Sequence, residues 1–133
     1  MPVSVQAVEI GERVEHFVRE IVIPYERDHR RDHHNAPTDE LVYEMREKAR
    51  AAGVLTPHVL PDGGHLSQID TAHVLRKTGL SPLGPLACNT MAPDEGNIYL
   101  LAKVGAPEHK ARFLRPLVEG RARSAFLMTE LTG

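Results

Sequence analysis

The chain has 133 residues, 41% of them apolar and 26% charged. That is one domain by length, able to bury roughly two-thirds of its unfolded surface. A net charge of -2 gives no general reason to expect nucleic-acid binding. The single cysteine rules out an internal disulfide and points to a reducing compartment. No run approaches the roughly 18 apolar residues of a membrane span, and the N-terminus lacks the basic and apolar regions of a secretory signal. The chain therefore reads as cytoplasmic, without a membrane or nucleic-acid partner. It has no Trp, 3 Phe and 3 Tyr, so Leu, Val, Ile and Ala must fill the core.

The spacing of Ile10, Val14, Phe17, Val18, Ile21 and Tyr25 predicts a helix from about Val5 to Arg30. Pro24 should bend or tighten it rather than end it. Thr38 is an N-cap candidate, with Asp39 and Glu40 well placed in the first turn. Leu41, Met45, Lys48, Ala49 and Ala52 continue this second helix to a stop at Gly53. Pro57, Pro61, Asp62, Gly63 and Gly64 mark a loop from Thr56 to Leu66.

Ser67 and Asp70 stand at capping-box spacing before a short third helix that ends at Gly79. Ser81 and Pro82 open a fourth, to about Thr90, weakened by Gly84 and Pro85. Pro93-Asp94 opens a fifth, with Ile98, Leu101 and Val104 apolar and Gly105 closing it. Pro107 opens the sixth, with Lys110, Ala111, Leu114, Leu117 and Val118 inward and a kink at Pro116. Six helices joined by short loops describe an all-α bundle. After Gly120 comes Ala125-Phe126-Leu127-Met128-Thr129-Glu130-Leu131-Thr132-Gly133, which alternates like a strand and reads as the opening of something larger.

The basic run Lys103, Lys110, Arg112, Arg115, Arg121 and Arg123 could face a phosphate, or be a solvated helix face. His29, His33 and His34 form the densest histidine cluster, yet no H-E-x-x-H and no third ligand accompany it. His16, His58, His65, His73 and His109 show no ligand spacing, so no metal site is expected. Cys88 reads as a small buried apolar residue rather than a nucleophile. Asp62-Gly63-Gly64 reads as a turn, since no strand precedes it and no Gly-Lys-Ser/Thr follows.

Several strings recur in a familiar order. They are Glu47-Lys48-Ala49-Arg50-Ala51-Ala52-Gly53, the Pro61 to Gly64 loop, and Ala92-Pro93-Asp94-Glu95-Gly96-Asn97. Then come Pro107-Glu108-His109-Lys110-Ala111-Arg112-Phe113-Leu114, Pro116-Leu117-Val118-Glu119-Gly120, and Arg123-Ser124-Ala125-Phe126-Leu127-Met128-Thr129-Glu130. This order resembles the N-terminal helical domain of the acyl-CoA dehydrogenases. The Ala-Pro-Asp-x-Gly-Asn string looks most like the branch of larger, multi-domain members.

The resemblance implies an N-terminal helical domain over residues 1–123 and the start of a middle β-domain over 124–133. It implies an FAD-dependent oxidation of acyl-CoA thioesters at the α and β carbons, part of fatty acid metabolism. Phe126, Met128 and Thr129 fall on the family's flavin-contacting string. The catalytic carboxylate belongs to a C-terminal domain, so no catalytic residue is assigned here. Partners would be acyl-CoA and a companion acyl-CoA dehydrogenase chain, or further copies of this chain. Alone, the domain is expected to be inactive; the alternative is a non-catalytic helical module or remnant that binds a full-length relative or itself. Three departures stand out. Leu131 replaces the usual Pro, the glycine loop reads Gly-Gly-His-Leu-Ser, and Arg76-Lys77 stands where an acidic pair is common.

Overall fold

The computed structural model describes residues 2–31 and 36–130. His33, His34 and Leu131 lie outside that range. Among the described residues there are six helices and no strand; one isolated antiparallel bridge pairs Val59 with His65.

Helix α1 (residues 5–25) is capped by Ser4, whose hydroxyl accepts from Ala7 N–H at 3.1 Å. Its face Ala7, Ile10, Val14, Phe17, Val18 and Val22 is buried, whereas Ile21 points outward. The helix stops at Tyr25 instead of Arg30, and the remaining residues form turns. Pro24 widens the helix rather than tightening it. A π turn covers Val18–Val22, and Ile23 N–H donates to the carbonyl of Val18, five residues back. A proline ring collides with the carbonyl four residues earlier, and a wider turn moves that carbonyl aside.

Helix α2 (Asp39–Ala51) starts at the expected cap, with Leu41 N–H donating to Thr38 Oγ1 at 3.3 Å. Gly53, at φ +67°, ends it. Leu41, Val42, Met45 and Ala49 are buried, and so is Arg46. Helix α3 (Gln68–Thr78) packs along α1, where Gly11 lies so close that a Cβ would stand 3.1 Å from the His73 ring. Ser67 caps α3 by accepting from Asp70 N–H. The reciprocal half of the capping box is absent among the described residues. The shorter Asp70 side chain accepts from Ser4 N–H at 2.9 Å, joining the starts of α1 and α3.

The fourth helix is shorter than the 82–90 expectation. Helix α4 (Gly84–Ala87) is a single turn. Gly84 is obligatory there, because a Cβ would sit 1.9 Å from the Thr78 carbonyl oxygen. Helix α5 (Asp94–Val104) buries Ile98 and half-buries Leu101. Val104, the third apolar position, is 69% exposed. Helix α6 (residues 107–118) repeats the α1 solution at Pro116. A π turn covers Lys110–Leu114, and Arg115 N–H donates to Lys110 C=O. In both helices the π turn ends two residues before the proline. Only Leu117 of α6 is fully buried; Ala111 is exposed, against the sequence expectation. After α6 the chain turns at residues 119–121 and then runs to residue 130 without regular secondary structure.

Candidate functional site

The site grows from the C-terminal end of α6. A helix leaves its last four carbonyls without helical partners. Here side chains from distant segments reach the carbonyls of residues 117–120, the last two of α6 and the two that follow it. Asn89 Nδ2 donates to Leu117 O at 2.8 Å, and Thr56 Oγ1 to Val118 O at 2.6 Å. Arg50 Nη2 donates to Glu119 O at 2.8 Å, and Arg46 Nη1 to Gly120 O at 3.0 Å. Arg46 also donates from Nε to Leu86 O at 3.1 Å, so one buried guanidinium joins α2, α4 and the end of α6. Burial pushes its pKa down from the usual arginine value.

Thr56 and Asn89 hold these positions at φ +49° and +56°. Asparagine tolerates that region, but a β-branched threonine is strained there, at a cost of about 1–3 kcal/mol. Asn89 Nδ2 also donates to Thr56 Oγ1 at 2.8 Å, and Thr56 N–H donates to Cys88 O at 2.9 Å, so each strained residue braces the other.

The chain leaving this end is then clasped by α5. Ser124 N–H and Oγ donate to the same Asp94 Oδ1, at 2.6 and 2.7 Å. Asn97 Nδ2 donates to Ser124 Oγ at 2.8 Å. Gly96, between them, faces the Phe126 ring, with a hypothetical Cβ 3.6 Å from Cζ. The Asp94-Glu95-Gly96-Asn97 string is thus a clasp at the start of α5 that holds the segment leaving α6. The sequence singled out the string but not this task, because Ser124 lies 30 residues from Asp94.

Beyond the clasp, Phe126 is 52% exposed, Leu127 98% and Met128 85%, and Thr129 is exposed as well. Among the described residues, the backbone N–H groups of residues 125–130 have no backbone partner. An apolar groove of about 320 Å³ adjoins the clasp, lined by Leu100, Leu101, Phe113, Pro116 and Leu117 among others. Leu100 and Phe113 are 56% and 47% exposed. This end therefore combines polar backbone edges with apolar surface, and a partner could cover both.

A second constellation lies under the Thr56–Leu66 loop. The loop folds back at Pro61 to Gly64: Gly63 N–H donates to Leu60 O and Leu60 N–H to Gly64 O, with Gly63 at φ +84°. Leu66 N–H donates to His58 O, which sets the Val59–His65 bridge. Two histidines without ligand spacing in sequence thereby become neighbours, with ring centroids 5.2 Å apart. His58 is fully buried, and neither ring nitrogen has a partner among the described residues. Such an unsatisfied group ordinarily costs about 1–3 kcal/mol. Burial, with His65 adding to it, pulls the His58 pKa down to about 4. His65 Nδ1 lies 2.7 Å from Leu66 O, and its Nε2 is buried without a partner. Glu95, just after Asp94 of the clasp, offers a carboxylate to the same spot; one ligand atom from each of His58, His65 and Glu95 lies within 4.8 Å of the others.

The remaining candidates resolve simply. Cys88 is buried, and burial pushes its thiol up to about 12, so no nucleophile is available. Much of the basic run is engaged locally: Arg115 and Arg121 pair with Glu119, and Arg123 lies 3.5 Å from Asp39. Lys110 and Arg115 also line a larger groove of about 650 Å³ with Arg13 and Arg50. His29 is next to Asp28, at 3.7 Å. Among the described residues no helix is long and apolar enough to cross a membrane.

Residues 5–121 match the family model "Acyl-CoA dehydrogenase, N-terminal domain". The chain is 36% identical over 131 residues to "Acyl-CoA dehydrogenase family member 10" of Mus musculus, covering 90% of this chain and 12% of that protein. It is 34% identical over 135 residues to "Probable acyl-CoA dehydrogenase FadE2" of Mycobacterium tuberculosis, covering 96% and 32%. A solved structure from Mycobacterium abscessus, described as a "putative acyl-CoA dehydrogenase", superimposes with a TM-score of 0.74 at 34% identity. That match covers 98% of this chain and 35% of the other. The chain thus spans about a third or less of the relatives it matches. This chain belongs to the acyl-CoA dehydrogenase family and matches its N-terminal helical domain.

Proposed function

We propose that this domain forms the helical wall of the acyl-CoA cleft in an FAD-dependent acyl-CoA dehydrogenase. It works with a middle β-domain and a C-terminal domain carried by a companion chain. The observation that carries this reading is the clasp. Asp94 and Asn97 fix Ser124, and the segment that follows leaves the clasp with Phe126 and Met128 exposed.

The chemistry of that segment fits a flavin edge. Backbone N–H and C=O groups are open to a polar rim, the Thr129 hydroxyl can donate or accept, and Phe126 and Met128 offer apolar surface beside a ring. Bound there, the flavin would supply the acceptor for a hydride leaving the β carbon of the thioester. This chain's own part is to hold residues 126–129 in register, present apolar surface and exclude water. In this reading the base for the α-proton belongs to the C-terminal domain and not to these helices.

The test is co-expression with a chain carrying the family's middle and C-terminal domains. The expected result is a yellow complex that reduces an electron-transfer dye with acyl-CoA, while this chain alone does not. A colourless complex, or dye reduction by the pure chain, overturns the reading. A second reading is a non-catalytic module that pairs with a relative or with itself, and the exposed Leu100, Phe113 and Leu127 favour it. Sedimentation of the pure chain as a stable dimer, together with no flavin in the co-expressed pair, would select that alternative.

A further inference from the structure

We propose that His58, His65 and Glu95 form a binding site for one divalent transition-metal ion of the zinc type. The site does not depend on the flavin reading, since its residues differ and its readout needs no turnover.

Three observations converge. The first is the donor set. Two imidazoles and one carboxylate are a combination that holds zinc with a further position left open. Their ligand atoms lie within 4.8 Å of one another. Two ligands each about 2.0–2.2 Å from a tetrahedral ion stand about 3.4 Å apart, so the side chains must close by up to about 1.4 Å to seat it.

The second is what the nitrogens lack. His58 is fully buried, yet neither of its ring nitrogens has a partner among the described residues. Protein interiors rarely leave such groups unpaired, and coordination to an ion satisfies a ring nitrogen that no donor or acceptor reaches.

The third is orientation. His65 Nδ1 lies 2.7 Å from the Leu66 carbonyl oxygen, an arrangement in which Nδ1–H donates and Nε2 keeps its lone pair. Metal-binding histidines are typically fixed in this way, by a backbone carbonyl on the far nitrogen. His65 Nε2 is itself buried without a partner among the described residues. The Tyr99 ring, 4.9 Å from the His65 ring and edge-on to it, limits how that ring can turn. The site also links two parts of the fold: the histidines come from the hairpin loop, and Glu95 follows Asp94 of the clasp. An ion here would tie that loop to the start of α5.

Zinc is titrated into the full 133-residue chain by calorimetry, and cobalt is added as a spectroscopic stand-in. The expected result is one ion per chain, with visible cobalt bands of a low-coordinate nitrogen and oxygen site. His65→Gln and Glu95→Gln should each weaken binding about tenfold or more, with the far-ultraviolet spectrum unchanged. Both side chains are only partly buried, so these variants avoid emptying the core at His58. The double variant His29→Ala/His33→Ala should bind as the parent does. The proposal is overturned by no stoichiometric binding. It is also overturned by binding that survives in both His65→Gln and Glu95→Gln, or that disappears in the His29/His33 variant.

Discussion

The two proline-interrupted helices make an instructive pair. Both α1 and α6 answer an internal proline with a π turn in the same register. Yet α1 is held by apolar burial, with Val14, Phe17, Val18 and Val22 inside the core. Helix α6 buries only Leu117 and is held largely through its carbonyl end, by Arg46, Arg50, Thr56 and Asn89. Apolar burial is tolerant of direction, whereas hydrogen bonds fix position to a few tenths of an ångström. Helix α1 is thus held by burial, while the end of α6 and the segment after it are positioned by directed contacts, with apolar surface left open beside them.

Substitutions can break that division. Leu41→Ala empties a fully buried position and should cost about 3 kcal/mol, seen as a large fall in denaturant midpoint. Arg46→Met keeps most of the volume but abandons the Leu86 and Gly120 carbonyls, and should cost about 2 kcal/mol. If Arg46→Met proved neutral, the polar scaffold around α6 would not be what holds it.

Asp94→Ala sharpens the contrast. It removes both Ser124 bonds and should cost only about 1 kcal/mol in global stability. Hydrogen exchange at the Ser124 N–H and proteolysis within residues 124–130 should nevertheless speed up, and the co-expressed pair should lose flavin. Unchanged Ser124 exchange and unchanged proteolysis in Asp94→Ala would mean that something other than the clasp holds the segment.

The smallest effect belongs to acid pH. The Ser4 backbone N–H holds the Asp70 carboxyl below its usual range, and Lys77 and then Arg19 do the same for Glu15. A depressed folded-state pKa means stabilisation that is full above the unfolded value, about 4, and lost as the pH falls through the folded one. Stability should therefore decline below about pH 4. Asp70→Asn should flatten part of that slope by lowering stability at pH 7 slightly, with little change at acid pH where Asp70 is already protonated, as a urea midpoint measured against pH would record.

The local grammar of the chain was legible in its residues. Thr38 and Ser67 cap the helices that their side chains announced, and Gly53 and Gly105 stop helices where the sequence put the stops. The Ala92 to Asn97 string and the strings around it pointed to the family. The apolar stripe of α1 was readable too, apart from Ile21. Arg46 left a faint signal, since it shares a face with Val42 and Ala49 at helical spacing. Its two carbonyl partners left none.

Sequence by itself determined the elements, because caps, stops and apolar periodicity act over a few residues, within reach of the chain's own local geometry. Only the tertiary structure decided where the polar side chains are committed. Asp70 turns to Ser4 instead of closing its own capping box, 66 residues away. Arg46 reaches Gly120 across 74 residues, and Asp94 grips Ser124 across 30. His58 and His65 meet because a glycine turn folds the chain back, and Glu95 joins them from another helix. Such partnerships depend on which surfaces pack together, and a one-dimensional pattern carries no record of that.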